Sequence, residues 1–316
     1  MTTAVAFVFP GQGCQRLGMG RDFVEAFAES ARVFEEASDA SGLDLAAICF
    51  ADETRLALTE FQQPAILTVE IAMCEALRSH FGVHPTLFGG HSLGEYAALV
   101  AAGALALGDA VRLVRLRGRL MQEAVAPGEG AMTAILQRDL DVEALAELVA
   151  PMNVDIANHN APDQAVISGT AGDVARAVEA VRQHPSWKAR TIALRVSAPF
   201  HSRYMQPVAE PLAEALAELP LTNASKATSV LSNTSGGFHT GSRPALEDAL
   251  TRQVTATVQW VANMRALLGR DARILEVGPG RPLRGFFASV GTTIASVNSV
   301  SAAEETASQV HGADHS

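Results

Sequence analysis

Ser92 stands in Gly90-His91-Ser92-Leu93-Gly94, between an apolar run, Thr86-Leu87-Phe88-Gly89, and an alanine-rich stretch from Glu95 to Val100. A short buried strand, a sharp corner with serine at its tip and a following helix are what a nucleophile elbow requires. The two flanking glycines lack a Cβ, so strand and helix can pass close together at the corner. The hydroxyl then lies at a helix N-terminus, where free N–H groups and the positive end of the dipole favour developing negative charge. The chemistry this suggests is attack of a serine oxygen on an acyl carbon, which needs a base for the proton and donors for the oxyanion.

Nine histidines compete for the role of base. Most lie in polar, surface-like contexts, and His91 is inside the elbow but on the wrong side of its turn. In hydrolases with this elbow the histidine follows the serine in the chain, which leaves His201 and His239. His201 sits at a loop-to-helix boundary in Ser197-Ala198-Pro199-Phe200-His201-Ser202; His239 ends the loop Ser235-Gly236-Gly237-Phe238. His201 is the preferred base. Gln12, in the turn Pro10-Gly11-Gln12-Gly13, can offer a backbone N–H to a reacting oxygen, or it is part of an ordinary strand-to-helix turn. Gln63, just before Pro64, reads either as a site residue or as a cap. Arg112, Arg115 and Arg119 share one helical face as a solvated stripe. Arg117 lies off that stripe beside Gly118, whose missing side chain would admit another backbone. Periodicity leaves open whether Arg117 is a buried, directed cation.

The elements around these residues alternate as in an α/β protein. Ala4 to Phe9 is a continuous apolar strand ending at the Pro10-Gly11 turn, and groups beyond the carboxyl ends of such strands form sites. Amphipathic helices are expected at 22–39, from 64, where proline suits the first position, to 80, and at 107–124. Pro127-Gly128-Glu129-Gly130 is a break. After it come strand 131–136, helix 141–150, strands 153–158 and 164–168, helix 171–182 and strand 189–195: a β-α-β-β-α-β unit of the ferredoxin-like pattern. Asn158 to Asp163 is expected to be its hairpin turn, and the unit is expected to wall a cleft over the elbow. Strand 273–277 runs into Gly278-Pro279-Gly280. The polar residues 299–316 are expected to be disordered.

Composition excludes several classes. Apolar residues make up 48% and charged residues 18% of the chain, enough for a large core. A net charge of −10 without a basic run speaks against nucleic acid. Cys14, Cys49 and Cys74 are odd in number and lack metal-ligand spacing, so neither a disulfide framework nor a metal site is expected, and a reducing cytoplasm is. No apolar run reaches the roughly 18 residues of a membrane helix.

Laid end to end, these stretches resemble the malonyl-CoA:acyl-carrier-protein transacylases of fatty-acid and polyketide synthesis. The matching residues are Phe9 to Gly13, Gln63-Pro64, Gly90 to Glu95, Arg117, Asn160, Phe200-His201-Ser202, Val258-Gln259-Trp260 and Glu276 to Gly280, in the family's order. The resemblance implies an α/β-hydrolase-like large domain (1–127 and 197–298), an inserted ferredoxin-like subdomain (128–196) and a tail (299–316). It implies Ser92 as acylated nucleophile, His201 as base, and the N–H groups of Gln12 and Leu93 as oxyanion hole. Arg117, 25 residues beyond the serine, is implied as the partner of a malonyl carboxylate, a task suited to a planar guanidinium. Gln63 is implied near the malonyl pocket, Asn160 near bound CoA, and Gln259 near the catalytic histidine, which is oriented by neutral groups. Phe200 is implied to narrow the pocket towards malonyl.

The resemblance further implies a cytoplasmic monomer, without cofactor, that moves malonyl from malonyl-CoA to the phosphopantetheine thiol of an acyl carrier protein. Two alternatives share the pattern: a hydrolase clearing acyl groups from carrier proteins, and a non-catalytic docking subunit of a synthase or malonate decarboxylase complex. The family's hydrolytic relatives generally lack the arginine.

Overall fold

A computed structural model describes residues 4–221 and 223–313. The first apolar run forms β1 (Val5–Phe9), buried along its whole length. Helices α1 (Arg21–Ala26), α2 (Ala28–Ser41), α3 (Leu45–Phe50), α4 (Glu53–Leu56) and α5 (Thr59–Ser79) follow. Then come β2 (Leu87–Gly90), α6 (Gly94–Ala102) and α7 (Leu107–Glu123). A second set is β3 (Gly130–Leu136), α8 (Val142–Val149), β4 (Asp155–Ala161), β5 (Gln164–Thr170), α9 (Ala171–Gln183) and β6 (Arg190–Ala193). The chain returns through α10 (Gln206–Glu218), β7 (Leu231–Ser232), β8 (Gly237–Phe238), α11 (Arg243–Gln253), α12 (Trp260–Leu268), β9 (Arg273–Val277), α13 (Pro282–Ser289), β10 (Ala295–Val297) and α14 (Val300–Ala313).

Four of these strands make a parallel sheet in the order β10-β9-β1-β2. A sheet of this kind is buried on both faces, which is why its strands read as unbroken apolar runs. The second sheet is antiparallel, in the order β4-β5-β3-β6. Its residues alternate: Ile135, Ala165 and Ile167 pack with α8 and α9, whereas Met132, Ala134 and Val166 join the main core. The small sheet therefore lies against the large unit and forms one wall of the cleft. A bridge from Phe88 to Val230 continues the parallel sheet past β2 and brings the loop after β7 alongside the elbow.

The structure departs from the sequence expectations in several places. The helix expected over 22–39 breaks at Phe27, whose extended backbone (φ −131°) lets its ring pack 4.6 Å from His80 and 5.5 Å from Phe81. Helix α5 starts at Thr59 rather than at Pro64, anchored by the Thr59 N–H donating to Gln122 Oε1 at 3.0 Å. The turn expected at 158–163 is shorter, because β4 continues to Ala161 through two bulges. Bulges re-aim side chains, and here Asn160 bonds His91 instead of closing a turn.

The tail expected to be disordered is helical over 300–313; residues 314–316 lie outside the described residues. Asp22 accepts the Val300 N–H at 2.9 Å, and the Ser299 hydroxyl accepts that of Ala302. The small side chains of Ala303 and Ala307 then bury one face. Polarity of composition masked this stripe. Replacing Ala303, which is fully buried, by aspartate should destabilise the protein by about 2 kcal/mol or more, because a carboxylate would be buried without a partner. An unchanged thermal midpoint for Ala303→Asp would show that α14 does not dock.

Candidate active site

At the elbow, Ser92 has φ +52°, a left-handed conformation rare for a residue with a side chain. A Cβ on Gly90 would stand 1.9 Å from the Gly94 carbonyl carbon, and one on Gly94 would stand 2.2 Å from the Phe9 oxygen. The corner thus admits only glycine at both places, as the motif required. His201 also has positive φ, +55°. Such conformations cost on the order of 1–3 kcal/mol each and persist only where the surroundings impose them. The two strained residues meet: Ser92 Oγ donates to His201 Nε2 at 2.7 Å.

The imidazole is held from behind by a main-chain carbonyl, Nδ1–H donating to the Gln253 oxygen at 2.8 Å. That bond puts the proton on Nδ1 and leaves the Nε2 lone pair facing the hydroxyl. Burial and then the Arg117 cation hold the imidazole down at about 3, against 6.5 for a free imidazole, so His201 is neutral near pH 7 with a lone pair that can accept a proton. His239, the other candidate, bonds Glu95 Oε1 at 2.8 Å instead of Ser92. Gln259 is one layer away: its N–H donates to the Asn233 oxygen, and no hydrogen bond joins its side chain to His201. Gln253, not Gln259, orients the ring.

Arg117 is wholly buried. Gly118 allows it to be, since a Cβ there would meet the Thr59 oxygen at 2.4 Å and push α7 off α5. Nη1 donates to Gln63 Oε1 at 2.8 Å; Nη2 donates to Gln253 Oε1 at 2.9 Å and to Ser92 Oγ at 3.1 Å. The Tyr96 ring lies 5.4 Å beneath the guanidinium. Burial pulls the Arg117 pKa below its ordinary value, opposed by Tyr96 and Glu95. Gln63 and its neighbours carry the polarity outward: Gln63 Nε2 donates to Gln12 Oε1 at 3.2 Å, and Gln12 Nε2 to Gln62 Oε1 at 2.7 Å. On the other side Gln253 Nε2 donates to Glu95 Oε2 at 2.7 Å. Every amide in the chain turns its oxygen towards the cation. The Arg117 Nε is buried and has no partner among the described residues.

Main-chain N–H groups at the two glycine turns beside Ser92 differ in what they bond. The Gly13 N–H is taken by Gln15 Oε1 and the Ser92 N–H by Asn233 Oδ1. The N–H groups of Gln12 and Leu93 have no protein acceptor among the described residues. Both stand at the corner next to Ser92 and are free to hold a developing oxyanion. Ser92 opens on a cleft of about 630 Å³ whose lining also includes Gln12, His91, Asn160, Phe200 and His201. His91 Nε2 and Asn160 Oδ1 are 2.7 Å apart. Among the described residues no aspartate or glutamate lines the cleft, and Arg195 does, although the chain carries a net charge of −10. The second glycine turn is also built in: Glu276 accepts the N–H groups of Leu283 and Arg284, fixing the start of α13, which lines the cleft.

Three polar residues of this site carried no sequence signal. Gln253 ends a helix, Asn233 sits in a Ser/Thr/Gly turn, and Gln62 precedes the residue singled out. Each was visible only once distant elements met.

The chain matches the family described as acyl transferase domain over residues 6–272. It is 39% identical over 300 residues to a malonyl CoA-acyl carrier protein transacylase of Bacillus subtilis, covering 93% of this chain and 92% of the relative. The relative of that name in Escherichia coli K12 is 38% identical over 296 residues, covering 92% and 94%. Among solved structures, the transacylase of that name from Clostridium perfringens superposes with a TM-score of 0.89 at 35% identity, covering 98% of each chain. A malonyl-transacylase solved with its holo acyl-carrier protein from a type II PKS gives 0.88 at 36% identity, covering 97% of this chain and 100% of that one.

The buried base makes a pH prediction. Modification of Ser92 by phenylmethylsulfonyl fluoride should show no acid limb at pH 6.5, because a base held at about 3 keeps its lone pair there. In the unfolded chain His201 takes up its proton below 6.5, whereas the folded chain resists until about 3. This group therefore lowers stability as pH falls across that window. Chemical denaturation of His201→Gln should give a shallower loss of stability on the acid side. A half-maximal labelling rate at 6.5 would show an imidazole titrating as in water.

Proposed function

The chain belongs to the acyl transferase domain family, and from that premise we propose that it is a malonyl-CoA:acyl-carrier-protein S-malonyltransferase working through a malonyl-Ser92 ester. The observation that carries the reading is Arg117. A wholly buried guanidinium is hydrogen-bonded to the nucleophile itself, its fork held by neutral amide oxygens and its Nε without a partner among the described residues. A cation in that position calls for an acyl group with a free carboxylate, which a planar guanidinium grips by parallel charge-assisted bonds.

In the first half-reaction Ser92 Oγ attacks the thioester carbon of malonyl-CoA and its proton passes to His201 Nε2. The carbonyl oxygen becomes an oxyanion held by the Gln12 and Leu93 N–H groups, each such donor contributing roughly 3 kcal/mol. Collapse breaks the C–S bond, and the CoA sulfur leaves with the proton from His201. In the second half-reaction the carrier's phosphopantetheine thiol gives its proton to His201 and attacks the ester. Oγ then leaves and recovers that proton. Throughout, Arg117 anchors the malonyl carboxylate while Phe200 narrows the pocket against a branched acyl chain.

The charge around the cleft fits acidic partners. Between Glu179 and Glu210 the chain has no acidic residue but carries Arg182, Lys188, Arg190, Arg195 and Arg203. Of these, Arg195 lines the cleft and Arg190 begins β6, whereas Arg203 is paired with Asp155. CoA and carrier proteins are both anionic, so this stretch suits both donor and acceptor. The architecture is read as an α/β-hydrolase-like large domain with a ferredoxin-like insert over 128–196, supported by the strand order β4-β5-β3-β6 with α8 and α9 on one face. Three free, buried cysteines fit a monomer in a reducing cytoplasm.

Intact-mass analysis after incubation with malonyl-CoA should find one malonyl group on the protein, absent in Ser92→Ala, and adding holo acyl carrier protein should discharge it to the carrier. Arg117→Ala should lose about 2–5 kcal/mol of transition-state binding for malonyl transfer, roughly thirty- to several-thousandfold in kcat/KM, while retaining acetyl transfer. Equal losses with both donors would remove the carboxylate clamp. Free malonate as sole product with carrier present would identify a hydrolase, and an unmodified Ser92 a docking subunit.

A further inference from the structure

The elbow leaves two main-chain groups without neighbours to bond: the Gly90 carbonyl at the end of β2 and the Ser92 N–H at the strained corner. One side chain takes both. Asn233 Nδ2 donates to the Gly90 oxygen at 2.7 Å, and Asn233 Oδ1 accepts the Ser92 N–H at 2.8 Å. A primary amide carries a donor and an acceptor side by side, as a peptide group does. It thus substitutes for the strand that the turn cannot have. Asn233 is itself fixed. It is wholly buried, its N–H donates to Glu95 Oε2 at 3.1 Å, and its oxygen accepts the Gln259 N–H at 2.8 Å. The same Glu95 carboxylate receives Gln253 Nε2, whose other end grips Arg117.

We propose that Asn233 is the positioning residue of the nucleophile: anchored by Glu95, its side-chain amide holds the elbow in the turn that aims Ser92 Oγ at His201 and the Leu93 N–H at the oxyanion. Loss of the amide frees residues 90–92 to relax from the left-handed corner. Oγ then leaves the line to Nε2, and the Leu93 N–H leaves the position of the oxyanion. The effect falls on the chemical step and not on substrate binding, since Asn233 does not line the cleft.

This rests on Ser92 being the nucleophile, not on the identity of the acyl group. The test compares the parent, Asn233→Ala, the isosteric Asn233→Asp and a core variant, Leu216→Ala, as a stability control. Asn233→Asp keeps an acceptor for the Ser92 N–H but sets oxygen against the Gly90 carbonyl, and its unchanged shape guards against a variant that fails to fold. Single-turnover acylation by malonyl-CoA should slow about ten- to a hundredfold in Asn233→Ala, with KM within about threefold of the parent. Labelling by phenylmethylsulfonyl fluoride should slow by a similar factor, Asn233→Asp should fall between, and the control should keep the parent's rate constant. Rate constants no lower than the control's, or a loss confined to KM, would overturn the proposal. A parent labelled by the sulfonyl fluoride but not by malonyl-CoA would overturn the malonyl reading alone, and the labelling rates would still test Asn233.

Discussion

A guanidinium without solvent is the constraint around which the site is arranged. Taking such a cation out of water costs on the order of several kcal/mol. Hydrogen bonds to a charged group return about 1.5–3 kcal/mol each, so three of them are of the same order as the cost. Arg117 has three, from Gln63, Gln253 and Ser92. Two of these acceptors are amides, which supply oxygen without supplying charge. A carboxylate there would neutralise the cation permanently and leave nothing for a cargo to bind. The compensating negative charge, Glu95, is set one residue back, behind Gln253.

That placement explains why elements so distant in sequence converge. Gln63 comes from α5, Gln253 from the end of α11, Ser92 from the corner between β2 and α6, and Arg117 from α7. The close approach of α7 to α5 at Gly118 brings the cation to the glutamine. The end of α11 does two tasks with one residue: the Gln253 side chain bonds Arg117, and its carbonyl fixes the His201 tautomer. His201 and Arg117 therefore share one residue as support.

Legibility in the sequence tracks the range of the forces involved. The elbow was readable because glycine is needed twice within five residues, at 90 by the main chain of Gly94 itself and at 94 by the Phe9 carbonyl of the neighbouring β1. The strands of the parallel sheet were readable from burial on both faces. The fate of Arg117 was not, because period and neighbours describe a helix face but not what is packed against it; resemblance supplied what spacing left open. Between His201 and His239, order along the chain could not decide, and the Glu95 contact of His239 does. Errors came where tertiary partners overrode local preference. Asn160 belongs to a turn by composition yet is drawn inward by His91. The polar tail is helical because Asp22, more than two hundred residues away, accepts its first N–H. Gln253 and Asn233 gave no signal because an amide in a helix end or a turn looks the same whether or not an active site lies beside it.

The electrostatics also bear on why such a site would transfer an acyl group and not hydrolyse it. In the free site, burial comes first and Arg117 second in holding down the basicity of His201. In the proposed reaction the malonyl carboxylate neutralises that cation, and the second of these influences is relieved only while cargo is present. The base is then stronger with an acyl group in place than in the empty pocket. Deacylation needs a nucleophile that can reach the ester past a carboxylate already bound to the polar heart of the site. Water entering there would compete with the malonyl oxygens for the same donors, whereas a thiol on a long anionic arm would bring binding energy of its own from contacts such as Arg195, which lines the cleft. On the proposed mechanism, selectivity for thiol over water would reside in the same buried cation that would hold the cargo.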